Sequence, residues 1–210
     1  MAIDDLLDEH EQSEKVRNWL QSNGAGLIGG VVLGLALIGG WQWWQRQQDA
    51  SRIQAGERYQ AASKVIEAKD LKRAPAQVAG LQGTYATLAA LDLAKAQLEA
   101  GQRDAAIASL RDAKPADPAL AAVVAQRLAR LLIDAGKADQ ALALLPASIT
   151  DSDTLQVRGD AQFALGHHDQ ARSDYTQALT QLDVGAPQRR LLELKLSEVG
   201  ATPAKPEARI

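Results

Sequence analysis

Residues Gly24 to Trp44, GAGLIGGVVLGLALIGGWQWW, constrain this chain more than any other stretch. No charged residue falls between Arg17 and Arg46, and Gly24 to Trp41 carries no strongly polar side chain. At about 1.5 Å per helical residue the stretch extends roughly 31 Å, the thickness of a bilayer's hydrocarbon core. All four tryptophans flank it, Trp19 before and Trp41, Trp43 and Trp44 at its end. Amphipathic indoles favour the membrane–water interface, and on a continuous helix Trp19 and Trp41 stand about 33 Å apart. A buried helix of a soluble protein could carry the same apolar run, but it gives no reason why tryptophan is absent after Trp44. The stretch is read as a transmembrane helix in the lipid bilayer.

A cleaved signal peptide has a basic leader, a short apolar core and a small-x-small cleavage site. Here six carboxylates precede the run, Asp4, Asp5, Asp8, Glu9, Glu11 and Glu14. The segment therefore reads as an uncleaved anchor. Ile3, Leu6, Leu7, Val16, Trp19 and Leu20 fall partly at helical spacing, so residues 1–23 predict a short amphipathic helix with a solvated acidic face. Within the anchor Gly26, Gly30 and Gly34 recur every four residues, a stripe that lets another helix backbone approach. Charge leaves orientation open: Lys15 and Arg17 precede the segment, whereas Arg46, Arg52, Arg58 and Lys64 follow it.

Beyond the anchor the chain reads as all-α. Hydrophobic residues make up 46% of it but aromatics only 4%, so the apolar mass is mainly alanine, leucine, valine and isoleucine. Alanine and leucine favour helix, and residues that favour strands are sparse. The net charge of −3 offers no basic footprint for nucleic acid, and the absence of cysteine excludes disulfides and thiolate chemistry. Residues 47–69 predict a helix with Ile53, Tyr59, Ala62 and Ile66 as its apolar positions, followed by a segment from Pro75 to Gln82.

Three later segments align on a glycine: Gly101-Gln-Arg-Asp104-Ala-Ala106, Gly136-Lys-Ala-Asp139-Gln-Ala141 and Gly166-His-His-Asp169-Gln-Ala171. Seven positions before each stands Ala94, Ala129 or Gly159, and three before it Leu98, Ile133 or Phe163. Glycine accepts the left-handed dihedrals that end a helix, and the aspartate three residues on is expected to N-cap the next one. The small residues let paired helices cross closely. This pattern resembles the tetratricopeptide repeat, whose small, glycine, alanine and proline positions the first hairpin carries in full, from Ala94 through Gly101, Ala106 and Ala113 to Pro118. The glycines are 35 and then 30 residues apart. Pro146 in the shorter interval predicts a truncated second helix. Pro187 opens a last helix, PQRRLLELKLSEVG, whose Leu191, Leu192, Leu194 and Leu196 are expected to cap the solenoid. The expected domains are an acidic leader at 1–23, the transmembrane helix at 24–44, the repeat domain at 47–200 and a disordered tail at 201–210.

No catalytic motif appears, and His167 and His168 fall adjacent in a tight turn, a poor arrangement for one metal. The chain is read as no enzyme and as needing no cofactor. What remains is the groove lined by the first helix of each hairpin. Register places Leu88, Leu91, Lys95, Leu98 and Glu99 there from the first hairpin. The second contributes Val123, Gln126, Arg130, Ile133 and Asp134, and the third Gln156, Asp160 and Phe163. Leu98 and Phe163 can equally be inter-helix core.

The helix ending in Gly40 to Trp44, the segment Tyr85 to Ala94, Leu128-Ala-Arg130 and the terminal LLELKLSEV together resemble the YfgM family of Gram-negative bacteria. That resemblance implies an inner-membrane protein with a single pass, its N-terminus in the cytoplasm and its repeat domain in the periplasm. It also implies association with the Sec translocon, a membrane-anchored prolyl isomerase-like periplasmic chaperone as a second partner, and a role in passing newly translocated polypeptides between them. The expected function is a membrane-tethered adaptor or holdase. A self-associating scaffold in envelope assembly or division, or a domain with a non-motif carboxylate site, are the alternatives from other classes.

Overall fold

Helix endings divide this chain into hairpins. The structure, a computed structural model, describes residues 2–148 and 151–201, with side chains from Glu14 onward except those of residues 27 and 50. In order the helices are α1 (Ala2–Glu67), α2 (Ala74–Ala79), α3 (Gly83–Glu99), α4 (Arg103–Asp112), α5 (Pro118–Asp134), α6 (Ala138–Leu144), α7 (Ser152–Ala164), α8 (His168–Gln181) and α9 (Pro187–Glu198). All regular structure among the described residues is helical. The chain separates into two units, Met1–Gln54 and Ala55–Ile210. The tail from residue 202 and the carboxylates of the leader before Glu14 lie outside the described residues.

In the first unit the large side chains of the apolar stretch are exposed among the described residues. Ile28, Val31, Val32, Leu33, Leu35, Leu37 and Ile38 are each 57–67% exposed, and an added Cβ at Gly26, Gly30 or Gly34 would meet open space. Fully burying a large aliphatic side chain is worth about 1.5–3 kcal/mol, so these seven together forgo on the order of 10 kcal/mol in water. The helix is not the straight rod that the spacing of Trp19 and Trp41 assumes. Its limbs Glu14–Gly26 and Ile28–Glu67 meet at 42°. Glycines on both sides of the bend, Gly26, Gly29 and Gly30, supply the usual cause of such a kink. Among the described residues no single helix is long and apolar enough to cross a membrane; the two bent limbs match a span by length and composition only.

In the second unit, one backbone turn recurs. The residue after the C-cap adopts φ of 76° at Gly101, 72° at Gly136, 77° at Gly166 and 76° at Gly200. Its amide donates to the carbonyl three residues back, and the next amide reaches five back: Gln102 N to Gln97 O at 2.8 Å, Lys137 N to Leu132 O at 2.8 Å, His167 N to Gln162 O at 2.9 Å. Two orphan carbonyls are thereby satisfied at each helix end. The next helix starts two residues after the glycine, at Arg103, Ala138 and His168. This compactness corrects the expected caps. Asp104, Asp139 and Asp169 sit inside the first turn rather than at its cap, where their charge favours the helix dipole, and Asp169 also pairs with Arg172 at 3.3 Å. The side-chain caps are Asp117, accepting from Leu120 N at 2.9 Å, and Asp151, accepting from Thr154 N at 2.9 Å.

The same turn occurs once more, without glycine. Lys69 has φ of 56°, its amide donates to Ile66 O at 2.9 Å, and Asp70 N donates to Val65 O at 3.2 Å. Counted from Lys69, the small residue seven back is Ala62, the apolar one three back is Ile66, and the alanine five on is Ala74. Ala74, Ala106, Ala141 and Ala171 occupy one equivalent position, and all four are fully buried. The end of α1 and α2 therefore form a hairpin of the series, so there are four and not three. Of the positions expected to be apolar on this helix, Ala62 and Ile66 are buried, but Ile53 is 64% exposed.

Packing follows the hairpins. Leu91, Ile107, Leu110, Val124, Leu128, Leu132 and Val157 belong to one core running from α3 to α7, and Leu155, Tyr175, Leu192, Leu196 and Val199 to a second joining α7, α8 and α9. α6 is seven residues long against fourteen in α8, the truncation that Pro146 imposes. The cap is narrower than expected. Leu192 and Leu196 are buried, whereas Leu191 and Leu194 are 49% and 57% exposed, because only one i, i+4 face of α9 meets α8. At Gly159 the backbone lies flat on the Tyr175 ring, and an added Cβ would approach Cδ1 to 2.6 Å.

Two substitutions separate these causes. Lys69→Gly should raise stability by about 0.5–1 kcal/mol, since it removes left-handed strain from a side-chain-bearing residue. Gly159→Ala should lower it by roughly 1–3 kcal/mol through overpacking. Thermal melting of the purified chain checks both signs.

Candidate functional site

Counted from the turn residue, four helices share one register. Ten residues before it stand Tyr59, Leu91, Gln126 and Gln156; six before stand Ser63, Lys95, Arg130 and Asp160; two before stand Glu67, Glu99, Asp134 and Ala164. The first set is structural. Leu91 is 6% exposed within the main core and Gln156 is 9% exposed, so neither presents a face to a partner. Gln126 donates from Nε2 to Thr154 Oγ1 at 2.9 Å and Asp151 Oδ1 at 3.3 Å, tying α5 to the start of α7. Tyr59 donates to Asp92 at 3.1 Å and stacks on Tyr85, and both burial and that carboxylate push its hydroxyl pKa upward.

The second and third sets divide by hairpin. Lys95 and Glu99 are exposed and face each other at 4.0 Å, and Arg130 and Asp134 are exposed on α5. Asp160 is committed elsewhere: it accepts from Tyr175 Oη at 2.8 Å and from Lys195 Nζ at 2.7 Å, which fastens α9 to α7. Leu98 and Phe163 are 44% and 40% exposed and so belong to the surface, Phe163 edge-on against the His168 ring. Among the expected lining residues, then, Lys95 with Glu99 and Arg130 with Asp134 stand open, while Leu91, Gln126, Gln156 and Asp160 hold the hairpins together. The stripe Gly26, Gly30, Gly34 is on the other unit with open space at each Cβ position, as are the exposed tryptophans Trp19, Trp41, Trp43 and Trp44, with Trp41 and Trp44 rings 5.3 Å apart.

A cleft of about 280 Å³ opens where the last turns of α1 and α3 lie side by side. Ser63, Ile66, Glu67 and Lys69 line one wall, and Asp92, Lys95, Ala96 and Glu99 the other. A second, of about 390 Å³, shares Lys69, Ala96 and Glu99 and reaches the turn residues Asp70, Leu71, Lys72 and Gln102. Half of this site comes from the hairpin that Lys69 closes. The spacing of Ala62, Ile66 and Ala74 would have revealed it had the turn residue been left free to vary.

The one carboxylate pushed upward among the described residues, Asp174, lines neither cleft. Burial raises its pKa and Arg158, at 3.3 Å, opposes the rise. Both side chains are largely inaccessible, and Asp174 Oδ2 has no hydrogen-bond partner. Because the folded state binds this proton more tightly than the unfolded chain, Asp174 favours folding below its raised pKa, and that contribution is lost as pH rises through it. Arg158→Ala strands the charge and should cost about 3–5 kcal/mol at neutral pH. The deficit should shrink as pH falls and Asp174 takes up its proton, which denaturant titrations at several pH values will read.

Known proteins place these features. The family model of the tetratricopeptide repeat-like domain matches residues 17–201. The ancillary SecYEG translocon subunit of Escherichia coli K12 is 30% identical over 200 residues, covering 91% of this chain and 97% of the relative. The protein of the same name from Haemophilus influenzae is 29% identical, covering 82% of this chain and 89% of its own length. The one from Aggregatibacter actinomycetemcomitans is 28% identical, at 92% and 98%. A solved chain, MamA MSR-1 C2, covers 70% of this one and 85% of itself at 19% identity and a TM-score of 0.46. With the hairpins, the left-handed turns and the family match in register over most of its length, this chain belongs to the YfgM family of ancillary Sec translocon subunits, built on a tetratricopeptide repeat-like domain.

Proposed function

We propose that this chain is a non-enzymatic, membrane-tethered protein-binding adaptor that works beside the Sec translocon and hands newly translocated polypeptides to a membrane-anchored, prolyl isomerase-like periplasmic chaperone. The observation that carries the reading is the naming of its relatives as ancillary SecYEG translocon subunits over nearly their full length. Exposed apolar residues in the first unit support the tether. From Ile28 to Trp44 the second limb rises about 26 Å, near the short end of what spans a hydrocarbon core. Trp41, Trp43 and Trp44 then mark one interface, and the bend after Gly26 falls near the other, next to Ser22 and Asn23, whose side chains bond Trp19 O. The orientation proposed is a single pass with the N-terminus in the cytoplasm and residues 47–200 in the periplasm.

Function then follows from tethering. Confinement at the mouth of a channel raises the effective concentration of the groove near emerging chains, so a weak site suffices. Lys95, Glu99, Arg130 and Asp134 are the lining residues free to meet them.

Photocrosslinking residues at Lys95 and Arg130 should capture translocon or chaperone subunits in intact cells. Self-crosslinks alone would overturn the adaptor and favour a scaffold. A reporter that works only in the cytoplasm, fused after residue 200, should stay silent; activity there would reverse the topology.

A further inference from the structure

Two leucines interrupt the outward face of the last helix. Leu192 and Leu196 turn inward, while Leu191 and Leu194 are 49% and 57% exposed, the most exposed leucines of the repeat domain among the described residues. A terminal helix keeps a solenoid soluble by presenting a polar outer surface, and this one does not. Nor is α9 shaped to receive another helix of its own series. In the other hairpins the residue seven before the left-handed turn is small, as at Ala129 and Gly159, whereas before Gly200 it is Glu193, paired with Arg189 at 3.0 Å.

Charge identifies what fits there. Of the five charged side chains on α9, three are occupied: Arg189 with Glu193, and Lys195 on Asp160 at 2.7 Å. The other two, Arg190 and Glu198, are exposed and make no ion pair among the described residues. They stand four residues before and four after Leu194, each about 6 Å from it along the axis. Arg190, Leu191, Leu194 and Glu198 fall within an arc of about 100° on one side of the helix. Along its length this strip reads cation, leucine, leucine, carboxylate. Turned end for end, it sets carboxylate against cation at both ends and leucine against leucine between them. A parallel partner strip of the same kind would oppose like charges.

We propose that the outer face of α9 is the contact between two copies of this chain, paired antiparallel about a two-fold axis at Leu194. The leucines of the two copies interdigitate, and Arg190 of each copy lies level with Glu198 of the other, an isologous contact. Lys95, Glu99, Arg130 and Asp134 are on α3 and α5 and stay outside it, so pairing is independent of what those residues bind. A contact between two helices about 18 Å long buries less than the roughly 1,200 Å² of a stable interface, so the pair is weak in dilute solution. Confinement of both copies to one membrane, which rests on the tether proposed above, makes a weak contact sufficient.

The chain has no cysteine, so a single introduced one reports the contact. The full chain carrying Leu194→Cys, placed at several copies per vesicle in phosphatidylethanolamine–phosphatidylglycerol liposomes, should form disulfide-linked dimers under mild oxidation. The rate should exceed that of Asp104→Cys, an exposed position on α4, by at least about tenfold. Adding Arg190→Glu should slow the Leu194→Cys link at least about threefold, and adding Glu198→Arg to that variant should restore it. Circular dichroism melts confirm that each variant folds. A rate no faster than the Asp104→Cys control overturns the pairing, as does a rate that ignores the first charge reversal or is not restored by the second. A polarity-sensitive fluorophore on Leu194→Cys that reports apolar surroundings at one copy per vesicle assigns the face to the bilayer and overturns it as well.

Discussion

A pair of amide-to-carbonyl hydrogen bonds, closed by one residue in the left-handed region, is the device on which the repeat domain depends. Each copy ends a helix and satisfies its last carbonyls, and at Gly101, Gly136 and Gly166 the next helix starts two residues later. The connection is so short that the two helices must lie against each other. Small side chains seven positions upstream accompany it: Ala62, Ala94 and Ala129 are buried, and Gly159 lies against Tyr175. Turn geometry comes first, and the pattern of small and large residues is its consequence.

The first unit obeys a different rule. Between Gly24 and Trp41 its side chains are apolar on every side of the helix rather than along one stripe. Nothing in the repeat domain resembles this: there, apolar residues occupy one face of each helix and the remainder carry charge. The same element, α1, changes character along its length, from apolar all round between Gly24 and Trp41 to one-sided after Tyr59, where Ala62 and Ile66 turn inward and Ser63 and Glu67 line the cleft.

Much of this was legible in the chain. Gly101, Gly136 and Gly166 announced their turns because a positive φ leaves glycine far less strained than other residues. Lys69 hid a fourth, since a lysine in that conformation carries no signature of its own. The aspartates after each glycine misled in a small way: spacing alone could not tell a cap from a first-turn residue, and the tightness of the turn decided it. Leu91 and Leu98 share one helix face by register, yet one is core and the other surface, because how deeply a neighbouring helix covers that face is fixed by tertiary packing. The long-range polar contacts, Arg158 with Asp174 and Lys195 with Asp160, had no sequence signal beyond the presence of opposite charges.

Those contacts give the array a polarity of its own. Toward its start, the interfaces are made from Ala62, Ile66, Ala74, Leu81, Ala89 and Leu93. At its far end α9 is held by Lys195 on Asp160, by Arg172 on Val199 O at 2.9 Å, and by Arg189 reaching Leu179 O and Leu182 O. In a linear stack each interface stands or falls with its neighbours alone. The polar fastening of α9 therefore guards an apolar surface, Leu155, Tyr175 and Leu179 beneath its own Leu192 and Leu196, that the last helix alone keeps from solvent.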